Sequence, residues 1–301
     1  VRQSRFFFAW VLLGAICSVV DGEDFAQPPE SFGDVQDVFY DDAFQALSGD
    51  PPDQAKELAA IQQDLIQQGT DVNDMFDWQT LIEAETLKTE IKRIANNLTS
   101  LTASPAKFEA AKLKDCPREL ATLATLFRVI DEYPGDIPWQ KSAAAMERRC
   151  LQTAEACEVG SDDSLAMVKE TCLLLDDLLR GQAVEASEAK TGFPQFAPLM
   201  QRMEITVQEK LPSLLAKPRD FRKQAMQVVH EAELLAMLSQ VIRGEDYGYG
   251  DDKTYQDHAD ALRDAANQLK QAAKSEDFSK AVEAESAVKE SCAACHADFR
   301  G

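Results

Sequence analysis

The chain has 301 residues and is 45% hydrophobic, enough to bury real cores, so it is not a disordered acidic tail. Its 52 Asp and Glu against 31 Lys and Arg leave a formal charge of −21. That excess argues against nucleic acid, since phosphate neutralisation needs a basic face, and it suits a protein partner that offers a basic patch.

The N-terminus reads VRQSRFFFAWVLLGAICSVVDG, with Arg2 and Arg5 ahead of an apolar run from Phe6 to Val20. This is the layout of a secretory signal peptide, taken as residues 1–23, and the run is short for a transmembrane helix. A retained anchor is the alternative, and Cys17 sits in a poor context for lipidation. The mature chain is therefore expected to be exported to the periplasm, with no stable membrane span. Residues 24–77 read as an acidic extension, in which QAKELAAIQQDLIQQG sets Leu58, Ile61, Leu65 and Ile66 on one face of a short helix.

From Trp78 onward apolar residues recur three and four apart, and Gly and Pro collect between long segments. The breaks predict an all-α chain with two sets of four helices: 79–101, 106–131, 139–157 and 163–180, then 195–216, 219–243, 252–274 and 277–299. The sets look like copies, occupying residues 78–182 and 193–301. Ile94, Leu98, Leu101 and Phe108 match Val207, Leu211, Leu214 and Phe221 at a constant offset of 113. VKETCLLLDDLLRG (168–181) matches VKESCAACHADFRG (288–301) at an offset of 120, with six of the 14 residues identical. Four amphipathic helices joined by short turns close most simply as an antiparallel bundle.

Only the second copy contains Cys292-Ala293-Ala294-Cys295-His296, the c-type haem attachment signature. Two cysteines three apart share a helix face and can both reach one porphyrin, and the adjacent histidine offers a nitrogen to its iron. A thioredoxin-like dithiol would sit beside a βαβ pattern, which the sequence lacks. Zinc would need two further ligands, with only His230 and His258 left among the histidines.

A single attachment motif on the last helix of a four-helix unit, followed by Ala-Asp-Phe-Arg, resembles the class II cytochromes c: cytochrome c′ and its six-coordinate relatives. The resemblance covers residues 194–301, with 79–181 as a haem-less echo. It implies two tandem antiparallel four-helix bundles of cytochrome c′ type. It also implies one haem c, held through Cys292 and Cys295, with His296 as the proximal iron ligand. Arg300 would lie beside the haem on the proximal side, and Phe299 takes a position that is often Tyr. In the family a residue of the first helix faces the other side of the iron. Counting back from Leu214 and Phe221 puts Met200 nearest that position, with Met203 one turn further on. Either thioether can equally be core packing. His230 could instead make a bis-His site, though it reads more simply as a hydrogen-bonded or partly exposed histidine, and His258 reads as a surface residue. Relatives often pair through their first helices, which leaves a homodimer open.

In the first copy Leu175 stands opposite Cys295, Asp176 opposite His296 and Leu87 opposite Met200, so that copy should bind no haem. It holds Cys116, Cys150, Cys157 and Cys172, and helix register suggests the bridges Cys116–Cys157 and Cys150–Cys172, with buried thiols as the alternative. No acid–base constellation is visible, so the chain reads as a non-enzyme. The leading expectation is a mono-haem electron carrier with a redox partner protein, and the alternative is a five-coordinate haem module that captures NO or CO.

Overall fold

The computed structural model describes residues 76–135, 137–184 and 192–300. The expected signal peptide and the short helix near residue 60 lie outside them. The described residues are helical, without strands, and belong to one compact unit, Asn73–Gly301.

After a short 3-10 turn at Trp78–Thr80, the first set contains α1 (Ala84–Leu101), α2 (Pro105–Ala111), α3 (Asp115–Glu132), α4 (Gln140–Glu158) and α5 (Ser164–Leu179). The second contains α6 (Phe196–Ile205), a π turn (Thr206–Lys210), α7 (Leu211–Leu214), α8 (Pro218–Lys223), α9 (Ala225–Ile242), α10 (Lys253–Lys274) and α11 (Phe278–Phe299). Local chemistry sets the starts. The Ser104 hydroxyl accepts from the Lys107 N–H with Pro105 at the first helical position. Asp252 and Asp277 cap α10 and α11 in the same way.

Three of the expected helices are divided. Residues 106–131 split at 112–114, and 219–243 splits at Gln224. The segment 195–216 widens into the π turn because of Pro212. Proline has no N–H to donate to the carbonyl of Gln208, and its ring crowds that carbonyl, so the helix opens by one residue there. The first set has no proline inside α1, which runs unbroken.

Each set closes into a ring of four helices. In the first, α1 packs on α3 and α5, and α4 lies between α3 and α5. In the second, α9 packs on the rod α6–α7, α10 packs between α9 and α11, and the π turn reaches α11. The rings meet along a reciprocal seam, α3 against α6 and α1 against α9, so each set's first helix lies on the other's second. Accordingly α3 and α9 are buried on nearly every side, since each has neighbours in both rings.

The seam carries buried charge. The Glu233 carboxylate of α9 accepts from the Glu83 N–H (3.2 Å) and the Thr86 hydroxyl at the start of α1. Lys270 of α10 donates to the carbonyls of Thr80 (2.8 Å) and Leu81 (3.1 Å). Further along, Glu90 of α1 meets Arg202 of α6 at 3.0 Å and His230 of α9 at 3.0 Å.

Candidate functional site

Helix α11 changes character halfway along. Its fully buried residues, Ala281, Ala284, Glu285 and Val288, all lie in the first half. At 100° per residue, Cys295, His296 and Phe299 fall within about 60° of Cys292, on the same face as those buried residues. Yet Cys292, Cys295 and Phe299 are only half-buried, and Ala293, Ala294 and His296 are exposed. A face that looks into the bundle is thus only partly covered beyond Val288.

The matching end of α5 is closed. Leu175 and Leu178 there are 0% and 1% exposed, and Leu87 on α1 is fully buried. Helix α5 packs on α1, whereas α11 meets the α6 rod at its π turn. The comparison between the two sets tests whether a porphyrin fits. Where Leu175 and Asp176 replace the cysteine and histidine, leucines fill the space. Where the motif stands, Cys295 is half-buried and His296 is exposed.

Ring contacts fix which ends come together. Phe196, at the start of α6, lies 5.9 Å from Tyr247, and Phe299, at the end of α11, lies 5.1 Å from Tyr249. Both helix ends therefore gather at the 243–252 loop. Met200 follows Phe196 by one turn, about 6 Å, and His296 precedes Phe299 by about 4.5 Å, so each lies about one turn from a helix end that meets this loop. Met203 lies one turn deeper and is buried in the core, while Met200 is half-buried. At the opposite end, Phe221 packs on Phe278 at 5.6 Å, as an antiparallel ring requires.

The loop is shaped by Gly250, whose N–H reaches the Tyr247 carbonyl at 2.7 Å. A Cβ at Gly250 would come within 2.0 Å of the Gly244 carbonyl oxygen, so only glycine allows this approach. The loop delivers Tyr249 against Phe299 and Tyr255, and the buried Tyr255 hydroxyl donates to the Ile242 carbonyl at 3.1 Å.

Burial pushes the Cys292 thiol up to about 11, with Cys295 adding to it, and burial also raises Cys295, helped by Asp298. A redox dithiol needs the opposite shift in its attacking cysteine. Among the described residues no group of three His, Cys, Asp or Glu is placed to hold a metal ion. The residues fit a porphyrin held through two thioethers, with His296 the imidazole that would reach its iron. Arg300 follows as the exposed C-cap of α11.

The other histidines are accounted for differently. His230 faces the seam, where its Nε2 is engaged by Glu90. His258 is not a free surface residue: its Nε2 lies 2.8 Å from Asp298, two positions beyond His296, and its ring packs edge-on near Phe299. Nothing in the sequence periodicity signalled that pair, because the partners are 40 residues apart.

The expected bridges Cys116–Cys157 and Cys150–Cys172 are not formed, and all four are free thiols. Register did bring them near one another. Burial pushes Cys116 up to about 12, with Cys157, Asp115 and Cys172 adding. Cys116, Cys150 and Cys157 are fully buried and pack as small hydrophobes.

Residues 244–300, the loop with α10 and α11, match the family model of cytochrome c′. No curated protein and no solved structure matches the chain. The match supports a c-type haem cytochrome and covers the attachment motif together with the aromatic loop beside it. No helix among the described residues is long and apolar enough to cross a membrane.

Proposed function

We propose that the chain is an exported mono-haem c-type cytochrome that carries single electrons and is not itself an enzyme. The observation that carries this reading is the attachment motif on the partly exposed inner face of α11 at Cys292, Cys295 and His296, set against the buried Leu175 of α5. When bound, the haem supplies a one-electron iron couple. The chain's own residues would hold the group through Cys292 and Cys295 and offer it His296, with Tyr249, Tyr255 and Phe299 packed together beside the motif. Met200, half-buried one turn from the loop that α11 also meets, is the favoured residue for the other side, and Met203 is the core residue one turn deeper.

The two sets carry the same order of elements, with Pro105 and Pro218 opening α2 and α8 and buried Phe108 and Phe221 following each. This supports a duplication in which one site has been filled. The reciprocal seam also bears on assembly. Part of α1 and α6 is taken up inside the chain, against α9 and α3, as in an internal pseudo-dimer, and a homodimer of whole chains stays open. Its acidity favours a redox partner with a basic patch.

Absorption spectra of the full chain, produced in a host that attaches haem c, test the reading. A low-spin six-coordinate spectrum that Met200→Leu converts to high spin supports the carrier. A high-spin wild-type spectrum that shifts on adding CO replaces it with the gas-binding alternative. A protein that carries no covalent haem, or one that retains it in Cys292→Ser/Cys295→Ser, overturns the site.

A further inference from the structure

The haem-less set meets the helix that bears Met200 through one buried ion cluster. Glu90 of α1 is 0% exposed and Arg202 of α6 is 2% exposed. The Glu90 carboxylate accepts from Arg202 at 3.0 Å and from Arg93 at 2.8 and 2.9 Å, and it faces His230 Nε2 at 3.0 Å. Arg202 also donates to Glu231 of α9 at 3.1 Å and to the Thr206 hydroxyl, which in turn donates to Glu231 at 2.7 Å. Lys210 closes the cluster on the other Glu231 oxygen, and Arg93 extends it to Glu119 at 2.8 Å. Thr206 and Lys210 are the two ends of the π turn.

The geometry of α6 gives this cluster a consequence. Its strongest packing is against α3, in the other set. A rotation of α6 by one residue turns it about 100° and slides it about 1.5 Å. Either movement would strand a buried guanidinium or carboxylate, which is far more costly than losing an exposed pair. Arg202 therefore holds the rotation of α6 against α1 and α9. Met200 lies about 160° round the helix from Arg202, on the opposite face, and Met203 lies about 100° away, in the core.

On the reading of α11 as the haem helix, we infer that Glu90 is a positioning residue for the distal side of the haem site. By pairing with Arg202 across the seam, it fixes which thioether of α6 faces the iron. The haem-less set is then the abutment of the distal helix, and this gives it a role in the chemistry of a site it does not touch.

The test uses the full-length holoprotein as wild type, Glu90→Gln, Arg202→Lys and Met200→Leu. Arg202→Lys keeps the charge and removes the fork, so it remains informative if Glu90→Gln does not fold. Spin state is read from ferric and ferrous absorption, and CO association with the reduced protein is timed after rapid mixing. If the inference holds, both seam variants keep full haem content and cooperative melting, gain a high-spin fraction, and bind CO about ten-fold faster, as expected when the closed distal state loses its excess population. Seam variants indistinguishable from wild type, beside an opened Met200→Leu, overturn the inference and leave the methionine assignment standing. If wild type and Met200→Leu are both open and alike, the methionine assignment is what fails. The CO rate then still decides, because α6 walls the distal side: faster binding in the seam variants supports the abutment, and an unchanged rate refutes it.

Discussion

Replacing Glu233 by Ala probes whether the two rings stand or fall together. The Glu233 side chain is wholly buried on α9, yet its acceptor oxygen serves the Glu83 N–H and the Thr86 hydroxyl of the other ring, with Lys274 at 3.7 Å from the second oxygen. Removing it leaves two donors without an acceptor, at about 1–3 kcal/mol for each one left buried. It also removes the counter-charge near Lys274, a small loss because that lysine is partly exposed. A total near 4 kcal/mol agrees with the range of about 3–5 kcal/mol for breaking a buried pair. In a unit of this size each kcal/mol lowers the melting temperature by about 2–4 °C, so the expected drop is about 8–16 °C. Thermal unfolding followed by far-ultraviolet circular dichroism measures it, with Glu233→Gln expected to lose less because it keeps one acceptor. The expected curve is a single transition moved as a whole. A shift below about 2 °C, or two transitions of which only one moves, would refute the claim that the seam is structural.

Two other outcomes follow from neighbouring features. Burial alone would raise the Glu90 carboxyl, but His230, Arg202 and Arg93 more than reverse it and hold it well below the usual carboxylate range; Glu231 is lowered likewise, burial being outweighed by Arg202 and Lys210. Their contribution to stability is complete above the unfolded carboxyl value of about 4.3 and is lost as pH falls below it. Melting temperature should therefore be flat in mild acid and fall below that value, less steeply in Glu90→Gln; parallel falls would remove Glu90 from the account. Gly250→Ala places a methyl against the Gly244 carbonyl and should cost about 1–3 kcal/mol. It should also change the near-ultraviolet dichroism of Tyr249 and Tyr255, and an unchanged spectrum would show that the loop accommodates the side chain.

What could be read in the sequence was local or periodic. The Cys292–His296 motif, the caps at Ser104, Asp252 and Asp277, and the leucines that replace the motif in α5 are all visible along the chain, because each depends on residues a turn or two apart. The π turn was also within reach, since Pro212 cannot donate within a helix, but its effect was absorbed into one expected rod from 195 to 216. The breaks at 112–114 and Gln224 carry neither Gly nor Pro, so no strong signal marked them. The charged seam was illegible for another reason. Glu90, Arg202 and Glu233 look like solvated helix residues until the fold brings their partners across 112 to 150 positions of chain. A register argument correctly drew Cys116 towards Cys157, but proximity of thiols is not a bond.

The long reach of the seam has a kinetic side. Lys270 finds the Leu81 carbonyl across 189 positions, and Lys274 finds Glu83 across 191. Pairings that distant close large loops before they return any stabilisation, and chains rich in them fold slowly. Until α10 arrives, the start of α1 lacks the partners that fix it, and until α1 is docked, Arg202 and Glu233 have nowhere dry to go. The two rings are therefore expected to complete their packing together rather than one after the other.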